Sequence, residues 1–223
     1  MQILPSLDVS YLDTLLLKDG VLQNLSAKLL KTIPHLHLRL WCHKYAIYGL
    51  PSVELIDLIN AHIGGENCIE IGSGCGVFGR VLNIPATDSF IQSTPEMIAQ
   101  YKMLGQPVVE YGANVLKFEA EEAIDNFKPH TVFGSWVTQY VSPLATTAPA
   151  GGGSIYGLKE TSFIHKIKKY IVYGNELIHG AKELFSMRGI KVTKIKDPEI
   201  MFSRASAPED NCLYVIEHDK QNA

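Results

Sequence analysis

The chain has 223 residues, 46% of them hydrophobic and 19% charged, with a mean hydropathy of +0.06. That size and balance suit one globular domain with a substantial core and exclude disordered and fibrous classes. Twenty basic against 23 acidic side chains leave a net charge of -3, so the sequence carries no strong nucleic-acid signal.

No apolar run approaches the roughly 18 residues that read as a membrane-spanning helix. Met1 to Ser10 lacks a basic stretch followed by an apolar one, and a soluble cytoplasmic protein is expected. Cys42, Cys68, Cys75 and Cys212 never fall at C-x-x-C spacing, which predicts reduced, mostly buried thiols and no structural metal. Nor does any H-E-x-x-H or clustered Cys/His spacing suggest one.

Residues 1–63 read as an N-terminal helical cap. Leu12, Leu15, Leu16 and then Leu22, Leu25, Leu29 keep a roughly helical period, with Gly20 between the two pieces. Ser52 is the predicted N-cap of a further helix, with Glu54 in its first turn and Gly64-Gly65 as its stop. Residues 64–223 read as one α/β core in which strand and helix signals alternate, the pattern of a parallel sheet covered on both faces. The predicted strands are Asn67 to Ile71, Ile84 to Thr87, Val115 to Phe118, Thr131 to Phe133, Tyr170 to Tyr173, Ile190 to Ile195 and Leu213 to Glu217. Helices are predicted at Val77 to Leu82, Pro95 to Leu104, Ala120 to Phe127, Leu158 to Lys168 and Glu176 to Met187. Only a loop separates the last two strands, so they should pair antiparallel.

The densest local signal is Glu70-Ile71-Gly72-Ser73-Gly74-Cys75-Gly76, an apolar strand with an acid running into alternate glycines and then a helix. Glycine permits positive φ and lets a ligand touch the backbone, and the following helix aims its first amides at the same spot. Gly74-Cys75-Gly76-Val77-Phe78-Gly79 also satisfies a G-x-G-x-x-G dinucleotide fingerprint, but Asp88 comes too early for the ribose-binding acid expected there.

These residues resemble the class I S-adenosylmethionine-dependent methyltransferases, whose first motif is an apolar strand, an acid and G-x-G-x-G. The strand order with its final hairpin is similar to that family's seven-stranded Rossmann-like, doubly wound sheet. The resemblance implies S-adenosylmethionine as cofactor, with Gly72, Ser73, Gly74 and Gly76 wrapping its methionine part and Glu70 holding its ammonium directly or through water. It implies that Asp88 takes the ribose hydroxyls and that Glu119 lies near the adenine amino group. Ser135 and Trp136, after the fourth strand, fall at the edge where such sheets bind ligands, and Trp136 would stack on adenine or shape the acceptor pocket.

The Asn/Asp-Pro-Pro-aromatic tetrad of amino-directed base methyltransferases and a Pro-Cys pair are both missing, which points to a small-molecule or peptide-like acceptor. Glu160 or His179 is the expected base if one is needed. The Ser142 to Ser154 segment and the aromatics Trp41, Tyr45 and Tyr48 are expected to close over the acceptor. Two alternatives stay open on the sequence: a non-catalytic S-adenosylmethionine-binding or regulatory module, and an NAD(P)-dependent oxidoreductase.

Overall fold

The computed structural model describes residues 7–142, 144 and 153–218. The N-terminal part is only partly helical. Helix α1 (Tyr11–Leu16) runs straight into a hairpin of β1 (Leu17–Lys18) and β2 (Val21–Leu22). Asp19 and Gly20 both hold positive φ, the conformation that closes a two-residue hairpin, so Asp-Gly makes a turn between strands where a break between helices is predicted. There follow α2 (Ala27–Leu30), α3 (His35–Lys44), β3 (Gly49–Leu50) and α4 (Val53–Ile63). The predicted ends of α4 hold: Ser52 Oγ accepts from Leu55 N–H, and Gly64 is left-handed at the C-cap.

Asp13 pins α1 to α3, its Oδ1 accepting from Trp41 Nε1 and from Tyr45 Oη, both at 2.8 Å. The part is itself fastened to the sheet domain. Ser52 Oγ donates to Ile200 O at 2.6 Å, and β3 pairs antiparallel with a late strand at Phe202–Ser203.

The core proceeds through β4 (Cys68–Ile71), α5 (Val77–Leu82), β5 (Ala86–Asp88), α6 (Pro95–Met103), β6 (Val115–Lys117), α7 (Ala120–Phe127) and β7 (Thr131–Ser135). After the short β8 (Gln139–Tyr140) and β9 (Gly153–Ser154) come α8 (Glu160–Phe163), β10 (Lys169–Asn175), α9 (Glu176–His179), β11 (Ile190–Ile195), β12 (Phe202–Ser203) and β13 (Asn211–His218). Among the described residues, seven strands form the main sheet in the order β11-β13-β10-β7-β4-β5-β6. All neighbours from β6 to β10 are parallel, and β13 runs antiparallel between β10 and β11, as the short connection between the last two strands requires. The fold is Rossmann-like.

Alternate side chains divide between the two faces. Ile69, Val132, Tyr170, Val172 and Tyr214 pack with Ala123 and Ile124 of α7 on one side. Cys68, Phe133, Ile171, Tyr173 and Leu213 pack with Leu55, Ile59 and Phe78 of α4 and α5 on the other.

Two predicted helices shrink. The Leu158 to Lys168 helix begins only at Glu160, because Leu158 is engaged like a strand residue, its N–H on Thr138 O and its O taking Tyr140 N–H. The Glu176 to Met187 helix stops after His179 at Gly180 and resumes as a 3₁₀ turn, Glu183–Ser186. Glycine favours a break, and Lys182 is drawn from that break into the interior. The second sheet strand starts at Ala86 rather than Ile84 since Pro85 has no N–H to give the ladder. Cys42, Cys68 and Cys212 are free and buried, and Cys75 is free and half-buried. No helix among the described residues is long and apolar enough to cross a membrane.

Candidate functional site

At the carboxyl ends of β4, β5 and β7 two cavities of about 330 and 300 Å³ adjoin, sharing Gly72, Ile91, Gln92, Trp136, Thr138 and Tyr156 in their walls. Each is large enough for part of a cofactor-sized ligand.

The glycine loop forms the floor. Gly72, Gly74 and Gly76 all sit at positive φ (59°, 54° and 71°), where side chains are strained. A Cβ on Gly76 would fall 2.4 Å from Val115 Cγ2, whereas one on Gly74 would meet only Val109, at 3.7 Å. Gly76 is therefore needed for packing, and Gly74 leaves open space over the loop.

Asp88 braces that loop. Its Oδ2 accepts from Gly74 N–H at 2.9 Å and its Oδ1 from Phe90 N–H at 3.0 Å. A carboxylate offers about four lone-pair sites, so each oxygen keeps one. Asp88 lines the second cavity together with Ser89, Phe118 and the exposed Glu119. Phe90, at φ 63°, stacks on Tyr111 with ring centroids 4.0 Å apart.

Glu70 does not line either cavity. It is buried under the loop, its Oε2 accepting from Gly79 N–H at 2.7 Å, while Oε1 has no partner. Gly79 makes that approach possible, since a Cβ there would lie 2.8 Å from Oε2. Burial, set against the Gly79 hydrogen bond, pushes the carboxyl up to about 8. The expected direct contact of Glu70 with a cofactor ammonium has no counterpart in this geometry.

Ser135 and Trp136 line the first cavity, and Trp136 lines both. Trp136 holds φ at 60°, fixed by its N–H on Tyr173 O at 2.8 Å. Gly49 is the small residue opposite, where a Cβ would lie 2.8 Å from Trp136 Nε1. Ser73 Oγ, Gln92 Oε1 and Trp136 Nε1 are buried, belong to cavity-wall residues and have no hydrogen-bond partner in the protein. Buried polar groups without partners are costly, and three of them around one cavity suit a polar ligand.

The two expected bases are elsewhere. Glu160 is buried in an ion pair, its Oε1 accepting from Lys182 Nζ at 2.7 Å and from Tyr170 Oη at 2.9 Å. Lys182 also donates to Val137 O at 3.0 Å, so the pair supports the Trp136 turn from behind. His179 is buried edge-on against Trp136, with ring centroids 5.3 Å apart. Its Nδ1 accepts from Asn175 N–H at 3.0 Å, which leaves no lone pair free, and burial pushes the imidazole down to about 4. Neither residue lines the cavities at the glycine loop.

Trp41 and Tyr45 belong to the N-terminal core rather than to the site; of the three expected aromatics, only Tyr48 reaches the cavity. The rest of the expected lid, 145–152, lies outside the described residues, as does 143. The sequence reading missed Gly49, Gln92 and Tyr101, which line the first cavity. No local motif marks them: Gly49 stands on β3, which pairs with the distant β12, and Gln92 and Tyr101 come from the stretch between β5 and β6. Among the described residues, no His, Cys, Asp and Glu cluster could hold a metal.

No protein-family model and no curated protein matches the chain. Solved structures do. An rRNA methylase from Streptococcus thermophilus is 10% identical, with 73% of this chain and 96% of that one covered and a TM-score of 0.37. A candidate caffeoyl-CoA O-methyltransferase from Staphylococcus aureus is 15% identical over 86% of this chain and 98% of that one, with a TM-score of 0.41. The hMettl16 catalytic domain in complex with MAT2A 3'UTR hairpin 6 is 14% identical over 96% and 80%, with a TM-score of 0.40.

Proposed function

We propose that the protein is an S-adenosylmethionine-dependent methyltransferase acting on a small-molecule or peptide-like acceptor. The observation that carries this reading is the strand order, with its antiparallel β13 inserted before the edge, joined to a glycine loop that opens onto a cavity at the strand ends. A dinucleotide-binding sheet has the order 3-2-1-4-5-6 with parallel strands, and the inserted antiparallel strand speaks against the nicotinamide alternative.

The residues present fit the cofactor. Gly72, Ser73 and Gly74 would hold its methionine part, with Ser73 Oγ and Gln92 Oε1 as unsatisfied polar partners, and Gly76, packed against Val115, would shape the loop. Asp88 would take the ribose hydroxyls on its two remaining lone pairs, held in aim by Gly74 and Phe90 N–H. Glu119, exposed at the rim, would reach the adenine end. Ser135 and Trp136 would stand between cofactor and acceptor. Glu70 would act from beneath, by fixing the first turn of α5.

When bound, S-adenosylmethionine supplies an activated methyl group that passes in line to the acceptor nucleophile, the sulfur keeping the electron pair. The chain's part is to align and to exclude water, effects that can supply most of the rate in such a displacement. Glu160 and His179 have no proton to take from an acceptor in the first cavity, and we assign them support of the Trp136 turn instead.

The test is calorimetry of the full chain with S-adenosylmethionine and S-adenosylhomocysteine, followed by a methyl-acceptor screen that includes RNA. Absence of binding by both would overturn the reading. Binding without turnover over every acceptor pool would favour the non-catalytic module.

A further inference from the structure

The two cavities meet along a common wall, and the two halves of the cofactor would join there. Ser73 and Gly74 belong to the first cavity, assigned above to the methionine part, and Asp88 to the second, assigned to the ribose. The sulfur of S-adenosylmethionine is bonded to both halves. It would therefore stand beside the side chains that line both cavities, among them Gln92, Trp136 and Tyr156.

Each of these three is held in place by its surroundings. Gln92 lies in the 3₁₀ turn Ile91–Ser93, entered through the left-handed Phe90, and its Oε1 is buried without a partner. Trp136 is fixed at its positive φ by Tyr173 O. Tyr156 N–H donates to Ser154 Oγ at 3.1 Å, and two residues on, Leu158 N–H donates to Thr138 O at 2.8 Å. Gly157, between them, lies so close to β8 that a Cβ would fall 2.1 Å from Gln139 O. The short segment carrying Tyr156 is thus packed down on β8.

A sulfonium is a cation with no N–H or O–H to donate. Two aromatic rings and an unpartnered amide oxygen suit such a charge, because π electrons and a carbonyl dipole attract it without needing a proton. Asp88 and Glu119, the carboxylates of these walls, line the second cavity and not the first.

We propose that Gln92, Trp136 and Tyr156 recognise the positive charge on the cofactor sulfur, so that the chain holds S-adenosylmethionine more tightly than S-adenosylhomocysteine, whose sulfur is neutral. Transfer breaks the sulfur–methyl bond, forms the bond from methyl to acceptor and leaves the electron pair on sulfur. The charge that the three side chains recognise disappears in that step, which favours release of the product. This inference rests on the methyltransferase reading.

The test is calorimetry of the full chain with the two ligands in parallel, on wild type, Tyr156→Leu, Tyr156→Phe and Gln92→Met. A cation beside an aromatic ring that is not fully buried gains about two- to fivefold in affinity, and the three groups together give an expected wild-type preference for S-adenosylmethionine of about tenfold. Tyr156→Leu and Gln92→Met are each expected to reduce that preference at least about twofold while leaving S-adenosylhomocysteine affinity unchanged, and Tyr156→Phe, which keeps the ring, to retain it. Tyr156 is 41% exposed, so its replacement should leave the chain folded, as circular dichroism would establish; Gln92→Met carries the test if it does not. Equal wild-type affinity for the two ligands, or a folded Tyr156→Leu or Gln92→Met that keeps the preference or weakens both ligands alike, would overturn the proposal. Binding of neither ligand by wild type would overturn the methyltransferase reading and this inference with it, whereas equal binding of both removes the inference alone.

Discussion

Replacing Glu70 by glutamine should reshape the pH dependence of stability. The buried carboxyl titrates at about 8 in the folded chain against an ordinary 4.5, because burial outweighs the one hydrogen bond it receives from Gly79. An acid that holds its proton more tightly when folded lends stability that is fully present below 4.5 and is lost as the pH rises through 8. Between those limits the unfolded chain releases a proton that the folded chain keeps, at a cost of about 1.4 kcal/mol for each pH unit. The span sets a ceiling of roughly 5 kcal/mol, and partial relaxation around the charge makes about 2 to 5 kcal/mol the expected range. Glutamine keeps an oxygen for Gly79 N–H and cannot ionise. Its extra N–H₂ enters where Oε1 has no partner, which costs about 1 kcal/mol at every pH. Urea unfolding followed by circular dichroism at pH 5, 6, 7, 8 and 9 measures the difference directly, since groups common to both proteins cancel. Glu70→Gln is expected to be slightly less stable than wild type at pH 5 and more stable by a few kcal/mol at pH 9. A difference that stays flat across that range would refute the reasoning.

The two loop glycines should separate in their effects. Gly76→Ala drives a Cβ into Val115 and is expected to lower thermal stability sharply, while Gly74→Ala, with only Val109 at van der Waals distance, should cost about 1 kcal/mol of backbone strain and weaken S-adenosylhomocysteine binding in calorimetry. Asp88→Ala removes the acceptor for Gly74 and Phe90 N–H as well as the proposed ribose contact, and tenfold or weaker cofactor binding is expected; an unchanged affinity would remove Asp88 from the site. Lys182→Met leaves Glu160 buried without its counter-ion and should destabilise the chain by about 3 to 5 kcal/mol in denaturant titrations. Lys182→Met combined with Glu160→Gln should recover part of that loss, because the uncompensated charge is gone. A double variant no more stable than the single one would show that the ion pair is not the source of the cost.

The seven core strands, the glycine loop and the Ser52 and Gly64 boundaries of α4 are legible in the sequence because each is a local matter: alternating apolar residues, turn glycines and caps act within a few positions of themselves. The antiparallel entry of β13 is legible for the same reason, since a loop without a helix cannot cross back to make a parallel neighbour. Roles that depend on partners distant in the chain are not. Glu160 and His179 have the side chains of bases, but Lys182, Tyr170 and the Asn175 amide occupy their acceptor atoms, and only the folded chain brings those groups together. Glu70 has the motif of a cofactor ligand, yet Gly79 draws it beneath the loop. Tyr48, which lines the first cavity, and Arg204, stacked on its ring, are 156 residues apart and meet because β3 pairs with β12. Hydrophobic period and turn chemistry thus determine where the site stands in the fold, whereas the protonation, orientation and charge of its side chains follow from long-range contacts that single-residue patterns do not encode.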